Sequence, residues 1–511
     1  MPEPRTDGEQ EPAPQDAGGG SQGRLRIVLP LVLVGVFAAI VIVLATGRVT
    51  TQGSVRVVAS PPSGAPSASP GVPSDSSGVA PGSSAAPTAS SVAPNAPSAA
   101  PPGASAALLI AVVDDSGALA TMDERGGSRV SYAVPGVVFG SPVWSPDGSR
   151  IAAVGSTPDD TSIYVFTVLR GGSGGHAKPV VIYRSPDRAP FYLYWTPDSQ
   201  GVAFLATESV GLSLRIAPAN GSAPLDGGGP GAIIRRGAPL YFDWEGADRL
   251  LLHVGTGASG FVGEVGLDGA SVAPAVAGTG DFRAASASRD GRYLAYVRSG
   301  TDSSGEIVVA SRDGASQHNL PVFGPAAFLF DPTGDTLASI AADKPAAGTP
   351  ALPFGPLRLI DARTGAVRTL LDGSVVGFFW APDGRTIAAL RLAQPGDQTT
   401  ETGPFLMAAV KARRVAAATP SPGVEVRLAF IDVATGTVRS ERVVRPASDF
   451  VNQILPYFDQ YALSHHLWAP DSASIILPLV DSSGATQIVV VPADGTDSRP
   501  IADGVSGFWS P

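Results

Sequence analysis

The chain has 511 residues, a formal net charge of −10, and only 16% charged residues. An acidic chain with few charges lacks the basic surface on which nucleic-acid binding depends, so nucleic acid is excluded as a partner. It contains no cysteine, which excludes structural disulfides, a lipidated N-terminal cysteine and thiolate-bound zinc.

The first 46 residues predict a tail and a membrane anchor. Residues 1–23 are polar and rich in proline, glycine and acidic residues, which predicts a disordered tail. Residues 24–46 predict a transmembrane helix, because the stretch from Ile27 to Ala45 is apolar, uncharged and just long enough to span a bilayer core of about 30 Å. Two arginines come directly before this stretch, so the positive-inside rule places the N-terminus in the cytoplasm and the rest of the chain outside it.

A cleaved signal peptide is the alternative interpretation of the same stretch. Val43-Leu44-Ala45 has small or aliphatic residues at the offsets of a cleavage site, and cleavage near Ala45 would give a secreted protein. The apolar stretch and the segment before it are longer than in most signal peptides. They favour an uncleaved, single-pass anchor in the cell membrane through residues 25–46.

Two further regions follow the anchor. Residues 47–106 are dominated by serine, proline, alanine and glycine, which predicts an extended linker without a core. Residues 107–511 are the predicted folded domain. Its first strands are expected at Leu108 to Val113 and Leu119 to Met122.

A short phrase recurs through the folded domain. The clearest copy is Trp144-Ser145-Pro146-Asp147-Gly148, followed by the apolar run from Ile151 to Val154. Proline at the second turn position fixes φ, and Asp-Gly supplies the turn and a residue that tolerates positive φ. The copies begin at Trp144, Trp195, Trp244, Ala287, Phe330, Trp380, Trp468 and, as a fragment, Trp509. Each phrase is therefore predicted to join an inner strand to a second, apolar strand.

The spacing of the phrases predicts an all-β fold. Most copies lie roughly 40–50 residues apart, the period of a β-propeller blade with four antiparallel strands. The last copy supplies an inner strand that the first strands of the domain lack, so we expect the C-terminal strand to pair with the N-terminal blade and close the ring. This count gives eight blades, with seven as the alternative. The long interval between Trp380 and Trp468 is interpreted as one blade with an insertion at residues 395–423.

The phrase and the strand that follows it resemble the repeat of TolB-like propeller proteins, a WD-type repeat. They are also similar to the propeller that precedes the hydrolase domain of prolyl oligopeptidases. The resemblance covers residues 107–511, and the copies at Trp244 and Ala287 depart from it by lacking proline. It implies a partner-binding role within a larger envelope complex. It does not imply peptidase activity, because no hydrolase domain is found in the sequence.

The sequence predicts no catalytic, cofactor or metal site. Residues 171–175 match the pattern G-x-S-x-G, but they lie in a glycine-rich loop and not at a strand-to-helix turn. The histidines form no metal-binding motif, and the aspartates of the repeated phrase are interpreted as turn formers instead of calcium ligands. The recurring tryptophans are interpreted as packing between blades, with stacking of a glycan as the alternative.

The segment before Trp468 is the candidate site. Ser448 or Asp449 is predicted to cap a short helix that Pro456 kinks or ends. In a propeller, the loop that enters an innermost strand lies at the rim of the central channel, where partners bind. The candidate contact residues are Tyr457, Asp459, Tyr461, His465 and His466.

These observations predict a membrane-anchored, extracytoplasmic β-propeller of the bacterial cell envelope. It would bind a protein or another envelope component and would not be an enzyme. The alternative is a propeller that binds a small molecule or a glycan, or an enzyme such as a lyase with its site in the channel. A dense polar cluster in the channel would favour this alternative, and a contiguous apolar patch on the rim would favour a protein partner.

Overall fold

The computed structural model describes residues 108–169, 178–222, 231–272, 275–300, 304–345, 352–392 and 424–511. The predicted tail, transmembrane segment and linker, and the 395–423 insertion, lie outside these residues, as do residues 171–175. Within the part that is described, no helix is long and apolar enough to cross a bilayer.

The described residues form antiparallel β-sheets, as the phrase predicts. Three sheets each contain four consecutive strands. The first comprises β4 (Val138–Trp144), β5 (Arg150–Ser156), β6 (Thr161–Thr167) and β7 (Val180–Ser185). The second comprises β8 (Pro190–Trp195), β9 (Gly201–Thr207), β10 (Leu212–Pro218) and β11 (Ala232–Gly237). The third comprises β12 (Leu240–Glu245), β13 (Arg249–Val254), β14 (Phe261–Gly266) and β15 (Val276–Ala277). The prediction of four-stranded antiparallel sheets is confirmed.

A larger sheet follows, in which ten strands pair in chain order. They are β16 (Ser286–Ala287), β17 (Tyr293–Ser299), β18 (Ser304–Ser311), β19 (Gln317–Phe330), β20 (Thr336–Ala342), β21 (Gly355–Asp361), β22 (Val367–Trp380), β23 (Thr386–Leu392), β24 (Val426–Asp432) and β25 (Val438–Val444). The two longest strands change partners midway. The first half of β19 pairs with β18 and its second half with β20, and β22 divides in the same way between β21 and β23.

The last strands complete two units at the ends of the domain. β26 (Ser474–Val480), β27 (Thr486–Pro492) and β28 (Arg499–Asp503) form a sheet, and Trp468 joins it through a single bridge to Ile475. β29 (Ser506–Trp509) pairs instead with β1 (Leu109–Val113), which continues through β2 (Leu119–Asp123) to β3 (Val130–Tyr132). The first and last strands of the described domain therefore belong to one sheet.

The turn of each phrase forms for the predicted reason. Gly148 has a φ of 64°, in the left-handed region. Serine takes the equivalent position in two copies, where Ser199 and Ser472 have φ values of 62° and 61°. Their hydroxyls accept hydrogen bonds of 3.1 Å from the backbone N–H groups of Asp147 and Asp383. These serines thus link the turns of neighbouring sheets, a contact that glycine could not make.

The tryptophans of the phrase join each unit to its neighbour. The indole N–H of Trp195 donates to the Val143 carbonyl at 3.0 Å, and that of Trp468 donates to the Phe379 carbonyl at 3.0 Å. Trp380 donates to Leu329 in the same way, and Trp144 donates to Phe508 of β29. Each acceptor is the residue before the equivalent position of another copy. These tryptophans are packed between units, which agrees with the packing interpretation.

Replacing Trp195 by phenylalanine should therefore cost more stability than the same change at Trp509. Both side chains are only 1% exposed, but the indole N–H of Trp509 has no hydrogen-bond partner. Trp195→Phe loses the bond to Val143 and leaves that carbonyl without its indole donor, at a cost of about 1–2 kcal/mol beyond the shared loss of packing. Urea unfolding of the two variants measures this difference. Equal losses of stability would show that the indole hydrogen bond does not stabilise the contact between the two units.

Candidate functional site

Residues 446–466, here called the cap segment, interrupt the repeat of strands between β25 and β26. Its first part is a π-helical turn at Phe450–Ile454, followed by a 3₁₀ turn at Leu455–Tyr457 and the α-helix α1 (Phe458–Ser464). A short helix was predicted here. Pro456, which cannot donate a backbone hydrogen bond, lies within the 3₁₀ turn, so the predicted interruption falls between the π-helical turn and α1.

The predicted cap of this helix is wrong in its detail. Asp449 is the residue before the first helical turn, but its side chain makes no capping hydrogen bond. Ser448 and Asp449 are both exposed. The segment is held in place by apolar residues instead, since Phe450, Val451 and Leu455 are buried against the sheets.

The cap segment contacts inner strands of three different units. The Phe458 ring packs edge-on against Phe378 of β22, with ring centres 5.1 Å apart. The Tyr461 ring packs against Tyr192 of β8 at 5.6 Å, and the Tyr192 hydroxyl donates to the Gln460 carbonyl at 3.2 Å. Because β8, β22 and β29 belong to separate units, the segment spans the area between their inner strands.

The third contact is made by a histidine. His465 packs against Phe508 of β29, with ring centres 4.7 Å apart. It is 2% exposed, its Nδ1 lies 2.8 Å from the Ser464 hydroxyl, and its Nε2 has no hydrogen-bond partner. Burial lowers the pKa of His465 to about 3, so the ring is neutral at physiological pH. His466 is half-buried, its carbonyl accepts from Trp509 N–H, and burial also lowers its pKa.

Tyr192 reaches the cap segment from a strained position. Its φ is 48°, an uncommon value for a bulky residue, and the pairing of β8 with β9 shifts register between Phe191 and Tyr194. A bulge of this kind redirects the side chain of an edge or inner strand. The same bulge recurs in β4, where Ser141 has a φ of 49° and the register shifts between Gly140 and Val143, so it is a feature of the repeat. The bulge thus aims the Tyr192 ring and hydroxyl at α1.

A cluster of polar side chains lies beneath the cap segment; we call it the channel cluster. Its members come from the cap, from inner strands and from the segment before β16: Tyr192, Tyr194, Tyr241, Asp243, Arg283, Asp459 and Tyr461. Tyr192 and Tyr241 are both subject to the charges of Asp243 and Asp459, so the two carboxyl groups share these neighbours. The hydroxyl of Tyr241 is buried without a hydrogen-bond partner.

The two carboxyl groups of the cluster are buried without a close cation. Asp243 is 5% exposed and accepts a 2.7 Å hydrogen bond from the Trp244 N–H, and Asp459 is 8% exposed. Burial raises the pKa of each to about 7, and Arg283 lowers that of Asp459 only in part. Among the described residues, neither carboxylate forms an ion pair within 4 Å.

Arg283 is only loosely compensated itself. Its guanidinium donates to the Phe282 carbonyl at 2.6 Å and lies 3.7 Å from the exposed Asp281, while its Nε has no partner. Burial lowers the pKa of Arg283. The channel cluster therefore contains two carboxyl groups, one arginine and four tyrosines, and within it the Tyr241 hydroxyl and the Arg283 Nε have no hydrogen-bond partner.

The structure distributes the five predicted contact residues over three environments. Tyr457 points outward and is 41% exposed. Asp459 and the half-buried Tyr461 belong to the channel cluster, and His465 and His466 lie against β29. Their role in binding a partner stays a prediction. In the present conformation, however, only Tyr457 presents a large surface to a second molecule.

Sequence reasoning missed the part of the cluster that lies outside the cap segment. Tyr192 and Tyr194 alternate on β8, and Tyr241 and Asp243 alternate on β12. These polar residues at alternate positions of inner strands were a signal that could have been read, because a fully buried inner strand is otherwise apolar.

The aspartates of the repeated phrases serve the turns. Asp147, Asp198, Asp290, Asp383 and Asp471 each accept a hydrogen bond from the backbone N–H two residues later. This is the arrangement of an Asx turn. Across the described ranges, no group of three or more acidic residues or histidines is placed to hold a metal ion.

No protein-family model matches the chain, and no curated protein matches it. Solved structures that match include the dihydro-heme d1 dehydrogenase NirN in complex with DHE, with 14% identity over 79% of this chain and 75% of that one and a TM-score of 0.47. TolB from Acinetobacter baumannii matches at 13% identity over 77% and 79% of the two chains, with a TM-score of 0.35. Oligopeptidase B from Leishmania major matches at 10% identity over 73% and 50%, with a TM-score of 0.44.

The matching structures thus include TolB proteins and oligopeptidases, the two groups that the repeated phrase resembles. Their TM-scores are all below 0.5.

Proposed function

We propose that the chain is a membrane-anchored, extracytoplasmic β-propeller that binds a protein or another component of the bacterial cell envelope. The proposed ring has eight blades. Eight units of four strands result when β19 and β22 are each shared by two units and Trp468 is taken as the inner strand of the last. Pairing of β29 with β1 supports closure of this ring. The anchor is the predicted helix at residues 24–46, and the linker at residues 47–106 holds the propeller away from the membrane.

The proposed binding surface is the outer face of the cap segment. The observation that carries it is the exposure of Tyr457 on the segment that breaks the repeat. Asp449 and Gln453 of the same segment are exposed as well. Tyrosine is among the residue types that most often dominate binding energy at interfaces. The TolB-like resemblance of the repeat also favours a protein partner.

Replacing Tyr457 and Gln453 by alanine in the full-length chain tests this surface. We expect recovery of the partner from solubilised membranes to fall at least tenfold, because loss of a central tyrosine costs about 2 kcal/mol or more of binding energy. Val438→Ala, an exposed position on β25, is the control. Recovery of the same partners in the same amounts with the double variant would contradict the proposed surface. Asp459 and His465 are less suitable for replacement because both are buried.

A second function is supported by the channel cluster. A small molecule, a glycan or the substrate of a channel-site enzyme such as a lyase would be bound by the polar side chains beneath the cap segment. The exposed large apolar residues of the described part, such as Val138, Val210 and Leu267, belong to separate turns and strands. They do not form the contiguous apolar patch that would favour a protein partner. Tyr241→Phe removes only the unpaired hydroxyl and should leave the melting temperature unchanged. If a compound stabilises the wild type and the variant equally, that hydroxyl does not contribute to its binding.

A further inference from the structure

One contact between units differs from the others; it lies between the third sheet (β12–β15) and the unit that begins with β16, and we call it the β12–β16 joint. The two phrases that flank it, at Trp244 and Ala287, are the two that lack proline. Ala287 also stands where the other copies have tryptophan or phenylalanine, and β16 has only two residues. Ala285 and Ala287 pack here in one cluster with Leu251 of β13. The joint therefore lacks the aromatic ring that the other phrases place between units.

The turns on the two sides of this joint do not touch. At the next two contacts along the chain, the turn of one phrase meets the turn before it. A Cβ on Gly334 would lie 3.1 Å from Ser288, and one on Gly384 would lie 3.6 Å from Pro332. A Cβ on Gly291, at the equivalent place in the β12–β16 joint, would have no described atom within 4 Å beyond its chain neighbours. The joint is therefore open at the end where the turns lie.

Polar groups with unused hydrogen-bonding capacity line the joint. Tyr241 is 1% exposed, and its hydroxyl has no hydrogen-bond partner among the described residues. Arg283, on the segment before β16, has an unpartnered Nε. The buried His253 holds that segment in place, because its Nδ1 lies 2.5 Å from the Arg283 carbonyl and its Nε2 lies 3.0 Å from the Thr279 hydroxyl. Arg283 is therefore carried by a backbone that is fixed at the joint.

Asp243 is the acid at the centre of these groups. It is buried and accepts a hydrogen bond from the Trp244 N–H, but it forms no ion pair among the described residues. Its charge acts on three tyrosines, which are Tyr192, Tyr194 and Tyr241. The carboxyl group of Asp243 thus lies among aromatic rings that carry hydroxyls.

The charges around the joint are balanced. Asp459 of the cap segment acts on Arg283 from one side. Arg289, which replaces the proline of its phrase, is exposed at the turns and acts on Tyr194 from the other side. Together with Asp243, the set has two carboxyl groups and two guanidinium groups, and within the described part no ion pair joins them.

The unsatisfied groups require a ligand that both donates and accepts hydrogen bonds. The Arg283 Nε–H can only donate, a carboxylate can only accept, and the Tyr241 hydroxyl can do either. A cationic ligand would meet two guanidinium groups, and an anionic ligand would meet two carboxyl groups. A hydroxyl both donates and accepts, so a neutral polyhydroxyl compound pairs with both kinds of group. The tyrosine rings add the apolar surface that buries the rest of such a ligand.

We propose that the β12–β16 joint binds a neutral saccharide, with Tyr241, Asp243 and Arg283 as the groups that pair with its hydroxyls. This inference deepens the second proposed function and rests on it, since it assigns a ligand class to the channel cluster. The saccharide enters from the open end at the turns, where Tyr194 is half-buried and Arg289 is exposed. The outer face of the cap segment takes no part in this binding.

Titration of the full-length protein with defined probes tests the ligand class. The protein is solubilised in a detergent without a sugar headgroup, and binding is measured by ligand-observed NMR. The neutral probes are glucose, galactose, mannose, N-acetylglucosamine and their disaccharides, and spermidine and citrate are the charged comparators. We expect a neutral probe to bind more tightly than either charged one.

Two variants locate the site. Tyr241→Phe removes one unpartnered hydroxyl and keeps the ring, so affinity for the bound saccharide should fall about tenfold, the equivalent of about 1.4 kcal/mol. Ala287→Trp restores the ring that other phrases carry and fills the joint, so it should abolish binding while the protein stays folded. Tyr293→Phe is the matched control, because Tyr293 packs in a different apolar cluster. This control should bind as the wild type does.

Three results would count against the proposal. Absence of binding by every neutral probe, or equal affinity of the wild type and Tyr241→Phe, would overturn the saccharide site. Tighter binding of spermidine or citrate that Ala287→Trp removes would overturn the saccharide class and leave the second proposed function standing. If Ala287→Trp fails to fold, Tyr241→Phe decides alone, because that change breaks no described hydrogen bond. The test at Tyr457 is independent of all these results.

Discussion

Deleting residues 506–511 is expected to abolish the folded state of the domain. These residues form β29, whose backbone pairs with β1 from Ile110 to Val113. Phe508 and Trp509 are almost completely buried, and truncation of a buried aromatic side chain typically costs about 3–5 kcal/mol. Two such losses are comparable with the whole stability of a typical domain, about 5–15 kcal/mol.

The deletion also removes contacts that other units need. Trp144 loses the Phe508 carbonyl that accepts its indole hydrogen bond, and His465 loses the ring on which it packs. The edge of β1 would then expose unpaired backbone groups, which promotes association with other chains. Circular dichroism of the truncated chain should show loss of the β-sheet signal and of the cooperative thermal unfolding transition.

Deletion of Pro511 alone is the matched control, because this residue is exposed and lies after β29. The variant that lacks only Pro511 should unfold at the same temperature as the wild type. A synthetic peptide of residues 504–511 should restore part of the transition of the truncated chain if β29 acts as a separable strand. A truncated protein that unfolds within a few degrees of the wild type would show that pairing of β29 with β1 does not stabilise the domain.

The turns and strands within each unit could be predicted from sequence because the repeated phrase encodes them in neighbouring residues. An Asp-Gly turn followed by an apolar run fixes where a strand begins, and the predicted runs at Ile151 to Val154 and Ile475 to Leu479 lie within strands. Strands β19 and β22 were not foreseen as continuous. Gly324-Pro325 in β19 indicates a break, but the chain accommodates it as a change of register between Phe323 and Ala326.

The candidate site could be predicted only in part because it is assembled from distant segments. The cap segment breaks the repeat, so its position was visible in the sequence. The partners of Asp459 were not, since Tyr192, Asp243 and Arg283 lie far from it in the chain and are brought together by the arrangement of the sheets. Burial decides which predicted contacts are accessible, and no local pattern distinguishes the exposed Tyr457 from the buried Asp459 two residues later.

Replacing Arg312 is the second change for which we expect a large loss of stability, because this residue forms ion pairs between two units. This residue follows β18 and contacts two acids of the neighbouring sheet, Glu245 at the end of β12 and Glu264 on β14. Glu245 is 3% exposed, and the Arg312 side chain is 22% exposed. Arg249 is 3.8 Å from Glu264 and more exposed. Arg312 is thus the main cation that compensates two buried carboxylates.

Arg312→Ala should destabilise the domain by about 3–5 kcal/mol, the usual cost of leaving buried charge without its partner. The deficit should depend on pH. Burial raises the pKa of Glu245, and Arg312 opposes that rise. Its removal raises the folded-state pKa further above the unfolded value, so the stability that the variant retains at pH 5 is lost as pH rises to 8.

Arg292→Ala provides the comparison, because Arg292 also contacts two acids, Asp290 and Asp335, but at an exposed position. Exposed ion pairs contribute about 0–1 kcal/mol and are screened by salt. Urea unfolding of both variants at pH 5 and pH 8 measures the difference, and adding Glu245→Gln to Arg312→Ala should recover part of the loss at pH 8. If the two arginine variants lost equal stability at both pH values, burial of the Glu245 and Glu264 carboxylates would not be what makes Arg312 necessary.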